Sequence, residues 1–229
     1  MIDMHCHILP AVDDGSRDIG QSLEMLKEEV RQGVKDVVLT PHFRADYSTA
    51  RARLEEKFAV LKDAAAKANI PVNLYLGQEI YHFSGMEKML LNGTLLPLNG
   101  TKYVLVEFSL NRICDIAETV YTLKDKGYIP IVAHIERYFY ADLSVAAEVK
   151  EIGGLIQINA ESVLGGIGKT HMHKRALAII KAGFSDFVAS DFHYARKNMM
   201  AKAFIKVKKK FGEETAHKLF CENAKAFIN

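Results

Sequence analysis

Short runs of aliphatic and β-branched residues alternate along the chain with longer stretches whose apolar positions recur every three or four residues. The short runs are MIDM at the start, DVVLT (36–40), VNLYLG (72–77), YVLVEF (103–108), IPIVAH (129–134), LIQIN (155–159) and DFVAS (186–190). Their length and residue types predict strands. Between them SLEMLKEEVRQG, ARLEEKFAVLKDAAAKA and IAETVYTLKDKG carry helical spacing. Gly33, Gly127 and Gly183 each fall just after a helical stretch, where a glycine ends a helix. Strict alternation of strand and helix predicts an α/β fold with a parallel sheet, open or closed into a barrel. The strands show no polar alternation, as expected when both faces are covered. No linker interrupts the pattern, so residues 1–229 are expected to form a single domain.

Composition narrows the partners. With 49% hydrophobic residues among 229 the chain can bury a sizeable core. Lys and Arg (30) nearly balance Asp and Glu (28), which gives no electrostatic case for nucleic acid or a membrane surface. The basic run KVKKK (206–210) reads as the wet face of a C-terminal helix. No apolar stretch approaches the ~20 residues of a membrane span. Asp3, His5 and His7 stand where a secretory signal would be apolar, which predicts a cytoplasmic protein. Cys6, Cys114 and Cys221 are scattered and odd in number, against a disulfide framework. Leu-Asn-Gly-Thr, at Leu91 and again at Leu98, then marks Asn-Gly turns and not glycosylation sites.

The chemistry gathers at the C-terminal ends of the predicted strands. His5 and His7, two apart on the first strand, share a face and supply half of a metal site. Asp13-Asp14-Gly15 follows in the next loop, and strand two runs into Thr40-Pro41-His42. Strand three ends at Glu79, strand four holds Glu107, strand five ends His134-Ile135-Glu136-Arg137, and strand seven ends Asp191-Phe192-His193. A parallel barrel brings such ends to one rim. A single strand-end His or Glu is usually solvated; their appearance at six of seven ends predicts a multinuclear metal site. Nine donors, five His and four carboxylates, exceed the four that one tetrahedral ion needs. Three ions with bridging carboxylates would use them all. Nitrogen and oxygen donors without thiolate suit Mn, Fe, Zn or Co. Three divalent ions, offset by Asp14, Glu79, Glu107, Asp191 and one hydroxide and joined by Arg137, leave a net charge of about +2, matched to a phosphate monoester dianion.

HxH on the first strand, the VDDG loop, Pro-His after strand two, VAHIERY and ASDFH together resemble the PHP (polymerase and histidinol phosphatase) superfamily. Within it the chain is most similar to the bacterial capsule and exopolysaccharide protein-tyrosine phosphatases, over essentially its whole length. The resemblance implies a distorted seven-stranded (β/α)7 barrel holding three metal ions, manganese first, with Fe, Zn or Co as alternatives. His5, His7, Glu79 and Asp191 would hold the first ion; Glu79 as a bridge, Glu107 and His134 the second; Asp14, His42 and His193 the third. Asp13 is the adjacent alternative to Asp14. Arg137 would bind the substrate phosphate; the loop after Asp191-Phe192-His193 is shorter than in relatives that carry a second phosphate-binding arginine there, and Arg196 would substitute for it. The implied substrate is a phosphotyrosine protein, the tail of a bacterial tyrosine autokinase.

The expected chemistry is in-line attack on phosphorus by a bridging hydroxide, with Arg137 clamping the phosphoryl oxygens. A phenolate leaves readily, and His193 or water would supply its proton. Tyr138-Phe139-Tyr140 either stacks on the substrate ring or packs in the core. The thiolate route through Cys-x5-Arg is absent, since Val12, Val120 and Phe227 stand six residues after the cysteines. Cys6 should point away from its flanking histidines into the strand's other face. Gly165–Thr170 imitates a phosphate-binding loop but has Val163 where glycine is required, and no Gly-x-Ser-x-Gly elbow occurs. Three rivals are a PHP phosphatase of a small metabolite such as histidinol phosphate, an amidohydrolase, and a non-catalytic metal-stabilised interaction module. Glu79 and Glu107 stand where an amidohydrolase usually has its mid-strand lysine.

Overall fold

The structure is a computed structural model describing residues 1–166, 168 and 170–228. Its strands are β1 (Ile2–Cys6), β2 (Asp36–Leu39), β3 (His42–Phe43), β4 (Asn73–Leu76), β5 (Glu79–Tyr81), β6 (Tyr103–Glu107), β7 (Ile129–Val132), β8 (Leu155–Asn159) and β9 (Phe187–Ala189). The helices are α1 (Ile19–Arg31), α2 (Arg51–Lys67), α3 (Met86–Leu91), α4 (Ile116–Asp125), α5 (Leu143–Glu151), α6 (Ala160–Leu164), α7 (Thr170–Lys181), α8 (Met200–Phe211) and α9 (Glu213–His217). Helix α1 begins earlier than its periodicity predicts because the Asp18 side chain caps it, accepting from Gln21 N at 2.9 Å. Gly33, Gly127 and Gly183 take φ of +82°, +84° and +75°, as helix-ending glycines do.

Every pairing between the named strands is parallel. Each predicted run contains a strand, but two are split. The second breaks at Thr40-Pro41, where proline has no N–H for a ladder, and the third at Gly77-Gln78. The result is a mixed α/β fold with a curled parallel sheet of six strands, β3-β5-β6-β7-β8-β9, and a second sheet of three, β1-β2-β4. Seven uninterrupted strands in one closed sheet are not what the ladders record. Backbone bonds nevertheless cross between the two sheets. Gly77 N donates to Leu39 O at 2.9 Å, and Glu79 N to Pro41 O at 3.1 Å. At the other edge Asp191 N donates to His5 O and His7 N to Phe192 O, both at 2.9 Å.

The core has two layers. Ile2, Met4, Val38, Leu105, Ile131 and Phe187 form an inner cluster, closed at one end by Phe227, whose ring packs on Tyr103 and Phe187. A larger outer cluster, including Leu26, Leu61, Val104, Ile156 and Ile179, lies between strands and helices. Burial of this apolar surface is the main stabilising term of the fold. One strand departs from the fully apolar expectation. In β8, Ile156 and Ile158 face the outer cluster while Gln157 and Asn159 are buried on the opposite face. Lys208, Lys209 and Lys210 are exposed on α8, as the KVKKK reading requires. In the Gly165–Thr170 run, Ile167 and Lys169 lie outside the described residues. No helix among the described residues is long and apolar enough to cross a membrane.

Candidate metal centre

The first strand does more than alternate. Met4 packs in the inner cluster and Cys6 in the outer one, although strict alternation would put both on one face. The register with β2 shifts between Asp3 and Cys6, and this bulge turns the His5 and His7 rings toward one another. Cys6 points the other way, fully buried, with Sγ against Val38 O at 3.4 Å.

Each histidine of the pair is oriented through Nδ1. His5 Nδ1 lies 3.1 Å from Gln157 Oε1, an oxygen that only accepts, and His7 Nδ1 lies 2.7 Å from the Asp13 carboxylate. Both Nδ1 atoms therefore carry protons, and in the neutral rings both Nε2 atoms carry lone pairs. Those Nε2 atoms face each other at 3.2 Å. Around them stand Glu79 Oε1, 3.3 Å from His5 Nε2, Glu79 Oε2, 3.4 Å from His7 Nε2, and Asp191 Oδ1, 3.7 and 3.5 Å from the two nitrogens. Lone pairs converging this closely call for a cation.

The other donors extend the cluster on both sides of Glu79. His134 Nε2 is 2.9 Å from Glu79 Oε1 and 3.7 Å from Glu107 Oε1. His42 Nδ1 is 2.8 Å from Glu79 Oε2 and 3.7 Å from Glu107 Oε2. Toward solvent, Asp14 Oδ1 lies 3.5 Å from His42 Nε2 and 3.4 Å from His193 Nε2. All nine predicted donors thus come together. They form four overlapping groups able to hold an ion: His7, Asp14, His42 and His193; His5, Glu79 and His134; His5, His7 and Asp191; His42, Glu79 and Glu107. Asp13 and Asp14 are placed differently. Asp13 turns inward to His7 and accepts from His42 N and Gly15 N at 3.0 Å each, while Asp14 faces the imidazoles of His42 and His193. The loop carrying them folds tightly over the strand end: Ser16 N donates to His7 O, and a Cβ on Gly15 would lie 2.0 Å from that oxygen.

Two donors sit on strained backbone. His134 and Asp191, just past the ends of β7 and β9, adopt φ of +30° and +50°. Such left-handed conformations disfavour side-chain-bearing residues and persist where the surroundings enforce them.

Electrostatics agrees with a site built for cations. Burial and the Glu79 charge push the Glu107 carboxyl up to about 8. Burial, reinforced by Arg137, pushes His134 down to about 4. Burial opposes charge on His5, yet Glu79 and Asp191 hold its pKa above the ordinary value. At His7 burial acts the same way, and Asp13 and Glu79 overcome it by more. Glu107 Oε2 and His193 Nε2 are buried without hydrogen-bond partners, and His42 Nδ1 and Glu79 Oε2, though 2.8 Å apart, are not aligned as a hydrogen bond. Orphaned buried donors and acceptors are costly, and several around one point are what metal ligands look like without the ion. Imidazole and carboxylate donors fit a divalent transition ion.

Two arginines guard the outer side. Arg137 Nη1 and Arg196 Nη1 lie 3.3 and 3.0 Å from Asp191 Oδ2, the oxygen that also accepts from Asn159 Nδ2 at 2.8 Å. Arg196, of uncertain register in the sequence, therefore reaches the centre. Tyr138 belongs to the core: it is fully buried, its hydroxyl donating to Ala133 O and accepting from Phe108 N. Sequence reasoning missed the residues that orient the donors. Gln157 Oε1 also accepts from His134 N at 2.9 Å, Gln157 Nε2 donates to Asn159 Oδ1, and Glu136 accepts from Asn159 N. The available signal was polar residues at i and i+2 in LIQIN, the one strand from which no reactive residue had been read.

Comparison with known proteins places this centre in context. The chain is 37% identical to the tyrosine-protein phosphatase YwqE of Bacillus subtilis, over 100% of this chain and 91% of that protein. It is 34% identical to the tyrosine-protein phosphatase CpsB of Streptococcus agalactiae, over 100% and 98%. It superposes with a TM-score of 0.92 and 36% identity on a crystal structure from a study of YwqE and Streptococcus pneumoniae CpsB, described as unique metal-dependent tyrosine phosphatases. That alignment covers 100% of this chain and 94% of the other. The family described as "Capsular polysaccharide synthesis, CpsB/CapC" matches residues 1–229, and the chain belongs to it.

Proposed function

We propose that this protein is a metal-dependent tyrosine-protein phosphatase of capsular polysaccharide synthesis, hydrolysing phosphotyrosine on a bacterial tyrosine autokinase. The observation that carries the reading is the convergence of the His5 and His7 Nε2 atoms, at 3.2 Å, on the carboxylates of Glu79 and Asp191. A bound divalent cation satisfies that arrangement while the Nδ1 protons stay directed at Gln157 and Asp13. We assign His5, His7, Glu79 and Asp191 to one ion, Glu79, Glu107 and His134 to a second, and Asp14, His42 and His193 to a third, with manganese as the first choice. Bound divalent ions supply an activated water and neutralise phosphoryl charge.

The chain's own groups do the rest. Each guanidinium has one amino group on Asp191 Oδ2, leaving the remaining N–H donors of Arg137 and Arg196 for phosphoryl oxygens. Asn159 holds the same Asp191 oxygen, so the carboxylate is fixed on one side and presents Oδ1 to the histidines. His193, whose Nδ1 is anchored on Asp191 O at 3.0 Å, keeps Nε2 toward Asp14 as a donor to the third ion, so the proton for the leaving oxygen comes from water. The three thiols take no part. We place the protein in the cytoplasm and read its sheets as a distorted seven-stranded barrel.

The test is removal and restoration of metal. Protein stripped by chelator should lose hydrolysis of a phosphotyrosine peptide and regain it with Mn2+, while alkylation of the cysteines should leave turnover intact. Full activity of the stripped protein would end this reading.

A further inference from the structure

A cavity of about 390 Å³ opens beside Arg137 and Arg196, lined also by Leu110, Met172, Asn159 and Ser162. The proposed reading fixes where a phosphate would sit, at the two guanidiniums, and leaves open what holds the rest of the ester. We propose that this cavity is the slot for the substrate's aromatic ring, with Leu110 and Met172 as its apolar walls. The inference rests on the phosphatase reading and names the residues that select aryl over alkyl phosphate esters.

Three observations carry it. The cavity is continuous with the centre, because Arg137, Arg196 and Asn159 all line it and all touch Asp191 Oδ2. A phosphoryl group held by the two guanidiniums would sit beside a cavity that Leu110 and Met172 also line. Next, Leu110 is 37% exposed, an apolar side chain left at the mouth of a charged site. It is also presented rigidly. Ser109 Oγ accepts from Asn111 N and Arg112 N, and Tyr140 OH donates to Ser109 O, so the turn that bears Leu110 is pinned on both sides. Finally, the alternatives are unsuited. Tyr138 is sealed in the core. A larger cavity of about 530 Å³ shares Arg196 but is lined by neither Arg137 nor Asn159. Glu161, an exposed residue, also lines the proposed slot.

A ring between two apolar side chains gains binding that a methyl group does not. Calorimetric titration of the Mn2+-loaded protein with phenylphosphonate and methylphosphonate isolates that gain, since both present the same head and neither is hydrolysed. Wild-type protein should bind the phenyl compound more tightly. Leu110→Ala and Met172→Ala should each weaken phenylphosphonate by about 3- to 10-fold and leave methylphosphonate within about 2-fold. Leu110→Asn, with the same branched side-chain shape but a polar end, should act like Leu110→Ala, and unchanged methylphosphonate binding is the control for folding. Equal affinity of the wild type for both compounds, variants that weaken both alike, or variants that weaken neither would overturn the slot. Failure of the phosphatase reading looks different: wild-type protein would then leave phosphotyrosine peptide intact whatever the phosphonates do.

Discussion

Two pairs of fully buried carboxyl groups lie at opposite ends of the first strand's reach, and they behave in opposite ways. Glu79 and Asp191 are enclosed, and burial alone would raise both. The imidazoles of His5 and His42 overcome it at Glu79, and those of His5, His134 and His7 at Asp191, so both stay ionised. Asp3 and Glu29 are equally enclosed but have no cationic neighbour. Burial pushes Asp3 up despite bonds from Ser190 N and His5 N. Burial and the Asp3 charge push Glu29 up further, although Asn198 Nδ2 donates to it at 2.8 Å. Through Ser190 N, His5 N and Asn198 Nδ2 the two carboxyls brace β1, α1 and the segment before α8. Burial is common to both pairs; the neighbours decide which stays ionised and which is driven toward the neutral form.

That contrast is open to attack. The largest effect should come from removing a donor: His5→Ala or Asp191→Ala should lower turnover of an aryl phosphate by at least ~10³-fold, measured after equilibration with excess Mn2+. Loss of the groups behind the donors should be milder. Gln157→Ala or Asp13→Asn should weaken metal binding by about 10- to 100-fold, read by titration against a competing chelator. A pH experiment follows from Glu107. Its carboxyl, pushed up from 4.5 to about 8, keeps a proton in the folded, cation-free protein that the unfolded chain has already lost. This group's contribution to stability is therefore full below pH 4.5 and lost as pH rises toward 8. Metal binding takes the carboxylate form, so it should release this proton at pH 6 and tighten as pH climbs to 8, both visible in calorimetry with buffers of different ionisation enthalpy. The smallest effect belongs to the brace. Glu29→Gln keeps a donor and acceptor without charge, and should leave turnover within about 2-fold and stability within about 1 kcal/mol in denaturant titrations. A large loss of turnover in that variant would erase the distinction between the pairs.

Most donors were legible because they are reactive side chains at or just past the end of an apolar run, and parallel topology sends such ends to one rim; Asp14 stands in the loop beyond the first run. Arg137 was legible for the same reason. What could not be read depends on pairing and loop geometry. The bulge that brings His5 inward arises only when β1 is laid against β2. Asp13 and Asp14 are chemically identical neighbours, and the turn ending at Ser16 decides which one reaches His7. Arg196 lies five residues past Asp191, so its arrival at the same carboxylate depends on the path of the intervening loop. Gln157 and Asn159 were passed over because amides inside an aliphatic run carry no charge to announce them, although their spacing of two marks a common face.

Gly15 has no functional group, yet it governs access to the whole constellation. Any side chain there would collide with the His7 carbonyl and lift the loop away, taking Asp13 from the imidazole it steers and Asp14 from the solvent-side donors. A Gly15→Ala protein would keep every liganding atom in its sequence and still be unable to close the ring of ligands, so a single methyl group at a chemically mute position separates an assembled catalyst from its scattered parts.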